Sequence, residues 1–122
     1  MWSPISPESL RELIRESEAE LSPDERLLWE LIQISPRKWA QSPWGDEGGG
    51  FWAVGVIGGD VIWYNDIEEG FNISRYFEPG TIGEYRCNQG GLQPVLWNLL
   101  HKFEGDEGHG VFGPPQLLAD PG

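Results

Sequence analysis

The sequence predicts an α+β domain: two N-terminal helices, an antiparallel meander sheet of three or four strands, and one C-terminal amphipathic helix. Three observations predict it. A capping-box pattern at Ser22-Pro23-Asp24-Glu25 separates two helix-patterned segments. Two apolar runs flank Gly58-Gly59, a hairpin turn signal. Apolar residues then recur at helical spacing from Leu92 to Phe103. Runs of one element type followed by runs of the other argue for α+β and against a parallel sheet.

The first helix is expected to start at Ser6-Pro7-Glu8, with Ser6 as cap, Pro7 in the first helical position and Glu8 at the positive end of the dipole. Leu10, Leu13, Ile14 and Leu21 form its inner stripe, and its arginines and glutamates form a solvated face. In the second helix Leu27, Leu28, Leu31 and Ile32 are read as inward, with Trp29 off the stripe. Ser35-Pro36 is expected to end it.

Residues 39–50 form an aromatic, proline- and glycine-rich connection. Gly48-Gly49-Gly50 is not a phosphate loop, because no Gly-Lys-Ser/Thr follows and Asp46-Glu47 would repel phosphate. The hairpin comes next. A two-residue turn would pair Ile57 with Asp60, Val56 with Val61, Val54 with Trp63 and Trp52 with Asn65. That register places Trp52, Val54, Val56, Val61 and Trp63 on one face. Ala53, Gly55, Ile62 and Tyr64 share the other, where the small residues let a helix or a ligand approach closely. Asp66 to Gly70 reads as an acidic turn, Phe71 to Phe77 as a short irregular strand, and Thr81 to Cys87 as a further strand.

In the last helix Leu92, Val95, Leu96, Leu99, Leu100 and Phe103 make the buried face, His101 and Lys102 suit the negative end, and Gly105 is a natural stop. The expected organisation is a loose leader over 1–5, a single α+β domain over 6–104, and a flexible Gly/Pro-rich tail over 105–122.

Charge bounds the partners. The chain has 122 residues and a formal net charge of −12. The excess is distributed: ten acids against five bases in 1–50, six against two in 51–90, and four against one in 91–122. Such a surface repels phosphate backbones and anionic lipid, so neither nucleic acid nor membrane is an expected partner, and a basic protein is. The single cysteine, Cys87, precludes an internal disulfide and suits a reducing compartment. The N-terminus lacks signal-peptide features, and the apolar run Phe51 to Ile57 is far shorter than the ~20 residues of a membrane helix. A cytoplasmic location is therefore expected, in which the Asn72-Ile73-Ser74 sequon is idle.

Several residue groups invite chemistry. Asn65, Asp66, Glu68, Glu69 and Asn72 could offer oxygens to Ca²⁺ or Mg²⁺, yet the EF-hand pattern fails and a solvated turn accounts for them. Glu84 could act as an acid or base, though an ion pair with Arg75 or Arg86 is the commoner explanation. Cys87 and His101 have no diagnostic spacing for a thiol enzyme, and two histidines without cysteine pairs carry no zinc signature. No metal, cofactor or catalytic residue is expected.

The aromatics are more unusual. Ten fall between Trp39 and Tyr85, more than one face of a small sheet can hide. Surplus Trp and Tyr beside acids are typical of protein-interface anchors. The leading expectation is a non-enzymatic protein-binding domain that engages a basic partner, with Trp44, Asp66, Glu68, Glu69 and Tyr85 as its surface. In composition alone the chain resembles small acidic bacterial immunity or inhibitor proteins that cap a basic partner. The alternative is a small-molecule-binding domain or small enzyme, with a pocket between the 39–50 loop, the Ala53/Gly55 face and Tyr85. A self-pairing accessory subunit is a third reading.

Overall fold

The structure, a computed structural model, describes residues 3–108. Helix α1 spans Pro7–Glu18 and α2 spans Pro23–Ile32. Both begin as their sequences dictate. Ser6 Oγ accepts from the amide of Ser9 at 3.1 Å. At Ser22 the capping box closes in both directions: Ser22 Oγ accepts from the Glu25 amide, and Glu25 Oε1 accepts from the Ser22 amide at 2.8 Å. Glu25 is buried, and its second carboxylate oxygen accepts from Gln93 Nε2 at 2.9 Å. The cap thus also ties α2 to the C-terminal helix.

Strand β1 (Gln33–Trp39) follows α2 without a loop, then β2 (Phe51–Ile57), β3 (Asp60–Asn65) and β4 (Gly70–Arg75). They form one antiparallel meander in the order β1-β2-β3-β4. Helix α3 (Leu92–Gly108) closes the domain, burying Leu92, Val95, Leu96 and Leu99. This is the α+β architecture the sequence predicts. Residues 109–122, most of the segment read as a tail, lie outside the described residues. At the other end Ile5 is held: its amide donates to Asp66 Oδ2 at 2.8 Å and its carbonyl accepts from Trp52 Nε1 at 3.2 Å.

Four local expectations change. First, Ser35-Pro36 does not end the second helix: α2 stops at Ile32, and the pair lies within β1. It lies where the β1–β2 register shifts, between Gln33 and Arg37, on the sheet's edge strand, where a residue without an amide hydrogen is tolerated. Second, the hairpin keeps the Ile57–Asp60 and Val56–Val61 pairs but carries a bulge at Val54, so that Gly55 pairs with Ile62, Ala53 with Trp63 and Trp52 with Tyr64. One extra residue flips every side chain beyond it. Trp52 and Val54 therefore face the helices with Ile62 and Tyr64, while Ala53 joins Val56, Val61 and Trp63 on the opposite face.

Third, Trp29 is core, 2% exposed, whereas Leu27 and Leu31 are 62% and 82% exposed. The indole wins the inner position because it fills more apolar space and its one polar atom is satisfied: Nε1 donates to Glu18 Oε2 at 2.8 Å. Gly55 makes room for it, since a Cβ there would lie 3.1 Å from the Trp29 ring.

Fourth, Thr81 to Cys87 is not a strand. Thr81 alone makes isolated bridges, to Ala40 and Glu78. Residues 76–91 form a strap that crosses the sheet face opposite the helices, attached by hydrogen bonds from Gly83 N to Arg75 O and from Phe71 N to Gly90 O. Two buried asparagines fasten its middle. Asn65 Nδ2 donates to Arg86 O at 2.8 Å, and Asn72 bonds both the amide and the carbonyl of Asn88. Helices, sheet and strap thus enclose two cores. One is centred on Leu10, Trp29, Val54, Ile62 and Leu96, the other on Phe51, Val61, Trp63 and Ile82.

Candidate functional site

The second core continues to the surface as a chain of rings. Phe51 and Trp63 lie with centroids 4.9 Å apart, and Trp63 Nε1 donates to Ser74 Oγ within the buried interior. Tyr85, carried by the strap, lies 6.1 Å from Phe51 and 6.0 Å from Trp63. Trp44 then stacks on Tyr85 at 5.1 Å with an interplanar angle of 26°. Its indole is 54% exposed. The pair therefore forms a surface platform with a buried foundation.

The loop that presents Trp44 is tightly closed. Gln41 Oε1 accepts from the Trp44 amide at 3.2 Å, and Gln41 O accepts from the Gly45 amide. Ser42 Oγ donates to Asp46 Oδ1 at 2.6 Å. Lys38 Nζ donates to Gly48 O at 2.9 Å and Gly50 O at 3.3 Å, lying 5.1 Å from the centre of the Trp52 ring. Glycine is needed at position 45, where a Cβ would lie 2.8 Å from Gln41 O and 3.2 Å from the Phe51 ring. Burial lowers the Lys38 pKa, and the charge of Asp66 partly offsets that shift. Asp46 and Glu47, in the single 3-10 turn after Trp44, are exposed. They bring negative charge beside the platform. In the sequence the two acids argue only against a phosphate loop, although they lie two and three residues after Trp44.

The acids of the 66–69 turn do not act as one cluster. Asn65 builds the turn, its Oδ1 accepting from the amides of Ile67 and Glu68, and Glu69 adopts a left-handed backbone with φ 63°. Asp66 is directed to the Ile5 amide, and Glu68 Oε1 accepts from Gln89 Nε2 at 3.2 Å. Glu69 acts electrostatically on Tyr64: burial first, then Glu69 and Asp66, raise that phenol's pKa. The turn meets the aromatic core through Ile67, which packs on the same cluster as Tyr85. Of the five residues expected to make a surface, the structure stacks Trp44 on Tyr85 and sends Asp66 and Glu68 to separate partners.

The remaining candidates have the following surroundings. Glu84 is half-exposed and pairs with Arg86 at 3.2 Å. Asn65 and Asn72 are fully buried and committed to the strap. His101 stacks on Trp97 at 3.6 Å, its Nδ1 lying 2.9 Å from Trp97 O. Cys87 is exposed. Ala53 and Gly55, expected to share a face that a helix or a ligand could approach closely, lie on opposite faces under protein side chains, Gly55 beneath Trp29 of α2. Among the described residues no three metal-binding side chains converge, and no helix is long and apolar enough to cross a membrane.

No protein-family model, curated protein or solved structure matches this chain.

Proposed function

We propose that this domain is a non-enzymatic binding module that seats a basic protein partner on the Trp44–Tyr85 platform, in the manner of an acidic inhibitor or immunity protein. The observation that carries the reading is Trp44 itself, more than half exposed yet stacked on a ring packed against the core. An indole already held in one orientation loses little conformational freedom when a partner covers it, which is what makes aromatic anchors effective at interfaces. Asp46 and Glu47 beside it, within a chain of net charge −12, favour a cationic partner and accelerate its approach. The small-molecule alternative draws less support, because Ala53 and Gly55 are covered by the protein's own side chains.

The test is a pull-down from the native lysate with the wild-type chain and Trp44→Ala, at low salt and at about 0.5 M salt, where charges are screened beyond a few ångströms. The expected result is a basic protein retained by the wild type at low salt, released at high salt and not retained by the variant. Equal capture by Trp44→Ala removes the platform from the interface, and capture indifferent to salt removes the electrostatic argument.

A further inference from the structure

Among the described residues, the outer edge of β4 lacks a backbone partner at one residue. Phe71 N donates to Gly90 O at 2.9 Å and Arg75 O accepts from Gly83 N at 2.9 Å. In an antiparallel ladder alternate residues turn their backbone groups away from the partner strand. Ile73, midway between Phe71 and Arg75, therefore presents its N–H and C=O at the edge. Among the described residues the strap bonds to Phe71 and Arg75 and passes Ile73 by. The cause is length. Eight residues of strap, Gly83 to Gly90, face five of β4, Phe71 to Arg75, and the surplus arches under the sheet, where Asn65 holds Arg86 O. Helix α3 forms the other wall of the resulting groove through Val95, Asn98, Leu99 and Lys102.

The charge in this groove runs against that of the molecule. Arg75, Arg86 and Lys102 line it, three of the chain's eight lysines and arginines. Two acids are also present. Asp60 lies 4.0 Å from Arg75, at the outer limit of an ion pair, and Glu84 lies 3.2 Å from Arg86 in a pair open to water and correspondingly weak. The lining thus combines a free strand edge, three cations, the amides of Asn88 and Asn98, and an apolar floor at Val95 and Leu99.

We propose that this groove captures the C-terminal end of an extended peptide, whose last residues pair with the backbone of Ile73 and whose terminal carboxylate lies between Arg86 and Lys102. A strand edge supplies the donor and acceptor that an extended backbone requires, and cations at its end select a chain terminus over an internal segment. The site is separate from the Trp44 platform and takes a ligand of opposite charge.

The test titrates the ¹⁵N-labelled full chain with N-acetyl-Ala-Ala-Leu, with its C-terminal amide, and with sodium acetate, following backbone resonances. The free-carboxylate peptide is expected to shift Ile73, Asn88 and Lys102, and amidation is expected to weaken binding about tenfold. Arg86→Gln and Lys102→Gln should each weaken it several-fold, and both side chains are exposed enough to be replaced without loss of the fold. Should Arg86→Gln unfold the chain, Lys102→Gln alone decides the point. No shift at Ile73 with the acid peptide, equal binding of the amide, or acetate binding as tightly as the peptide would each overturn the proposal.

Discussion

Asn72 grips the backbone of Asn88 with both ends of its side-chain amide: Oδ1 accepts from Asn88 N at 2.9 Å, and Nδ2 donates to Asn88 O at 3.3 Å. Asn72 is fully buried, and it reproduces with a side chain the pairing that a neighbouring strand would have made. Removing it leaves the Asn88 amide and carbonyl, in part-buried hydrogen bonds, without those partners. Asn72→Ala is expected to lower the unfolding free energy by about 2–4 kcal/mol. In hydrogen exchange the Asn88 amide should lose protection more than the β2–β3 amides. A cost below about 1 kcal/mol would show that water replaces the clamp.

Gly70 and Gly58 should respond unequally to the same change. A Cβ at Gly70 would collide with Asn88 O and Gln89 Cα, backbone atoms of the strap that cannot turn aside. A Cβ at Gly58 meets nothing, and only its left-handed φ of 58° opposes substitution. Urea unfolding should place Gly58→Ala at a cost of about 1–2 kcal/mol and Gly70→Ala above it, with resonance changes across residues 86–90. A Gly70→Ala variant as stable as Gly58→Ala would contradict the close approach of the strap.

Tyr64 makes stability depend on alkaline pH. Burial, with Glu69 and Asp66 adding to it, raises the phenol's pKa above its ordinary value of 10.0. The folded state then holds that proton more tightly than the unfolded chain does. This contribution is complete below about pH 10 and is lost as pH rises through the folded pKa. Lys38 works in the opposite sense: its lowered pKa makes stability rise with pH up to its ordinary value of 10.5. Comparing the wild type with Tyr64→Phe cancels the lysine. The stability difference between them should be flat from about pH 8 to pH 9.5 and move against the wild type above about pH 10. Parallel pH profiles would show that Tyr64 does not titrate with unfolding.

The parts of the fold legible in the sequence are those specified by near neighbours. Ser22 and Glu25 lie three residues apart and cap each other wherever the chain goes. Gly58-Gly59 sets the hairpin, and the 92–99 periodicity sets the inner face of α3. Trp44 and Tyr85 could be singled out as surplus aromatics, but their stacking joins positions 41 residues apart, which periodicity cannot report. The acids Asp66, Glu68 and Glu69 read as one turn because they fall within four residues. Asn65 winds them into a tight turn, and their carboxylates leave it toward different partners.

By itself the sequence determined the order and type of most elements, the net charge of −12, and the surplus of aromatics between Trp39 and Tyr85. Tertiary structure decided which side chains face which core. A single bulge at Val54 exchanged the faces of Trp52 and Ala53, and competition for space over Gly55 put Trp29 inside and left Leu31 in water. It also turned Thr81 to Cys87, expected as a strand, into part of a strap whose stretch from Gly83 to Gly90 is longer than the edge it follows. The physical reason is range. Caps, turns and helical stripes are settled within a few residues, whereas the side a residue faces depends on what arrives from elsewhere in the chain to cover it.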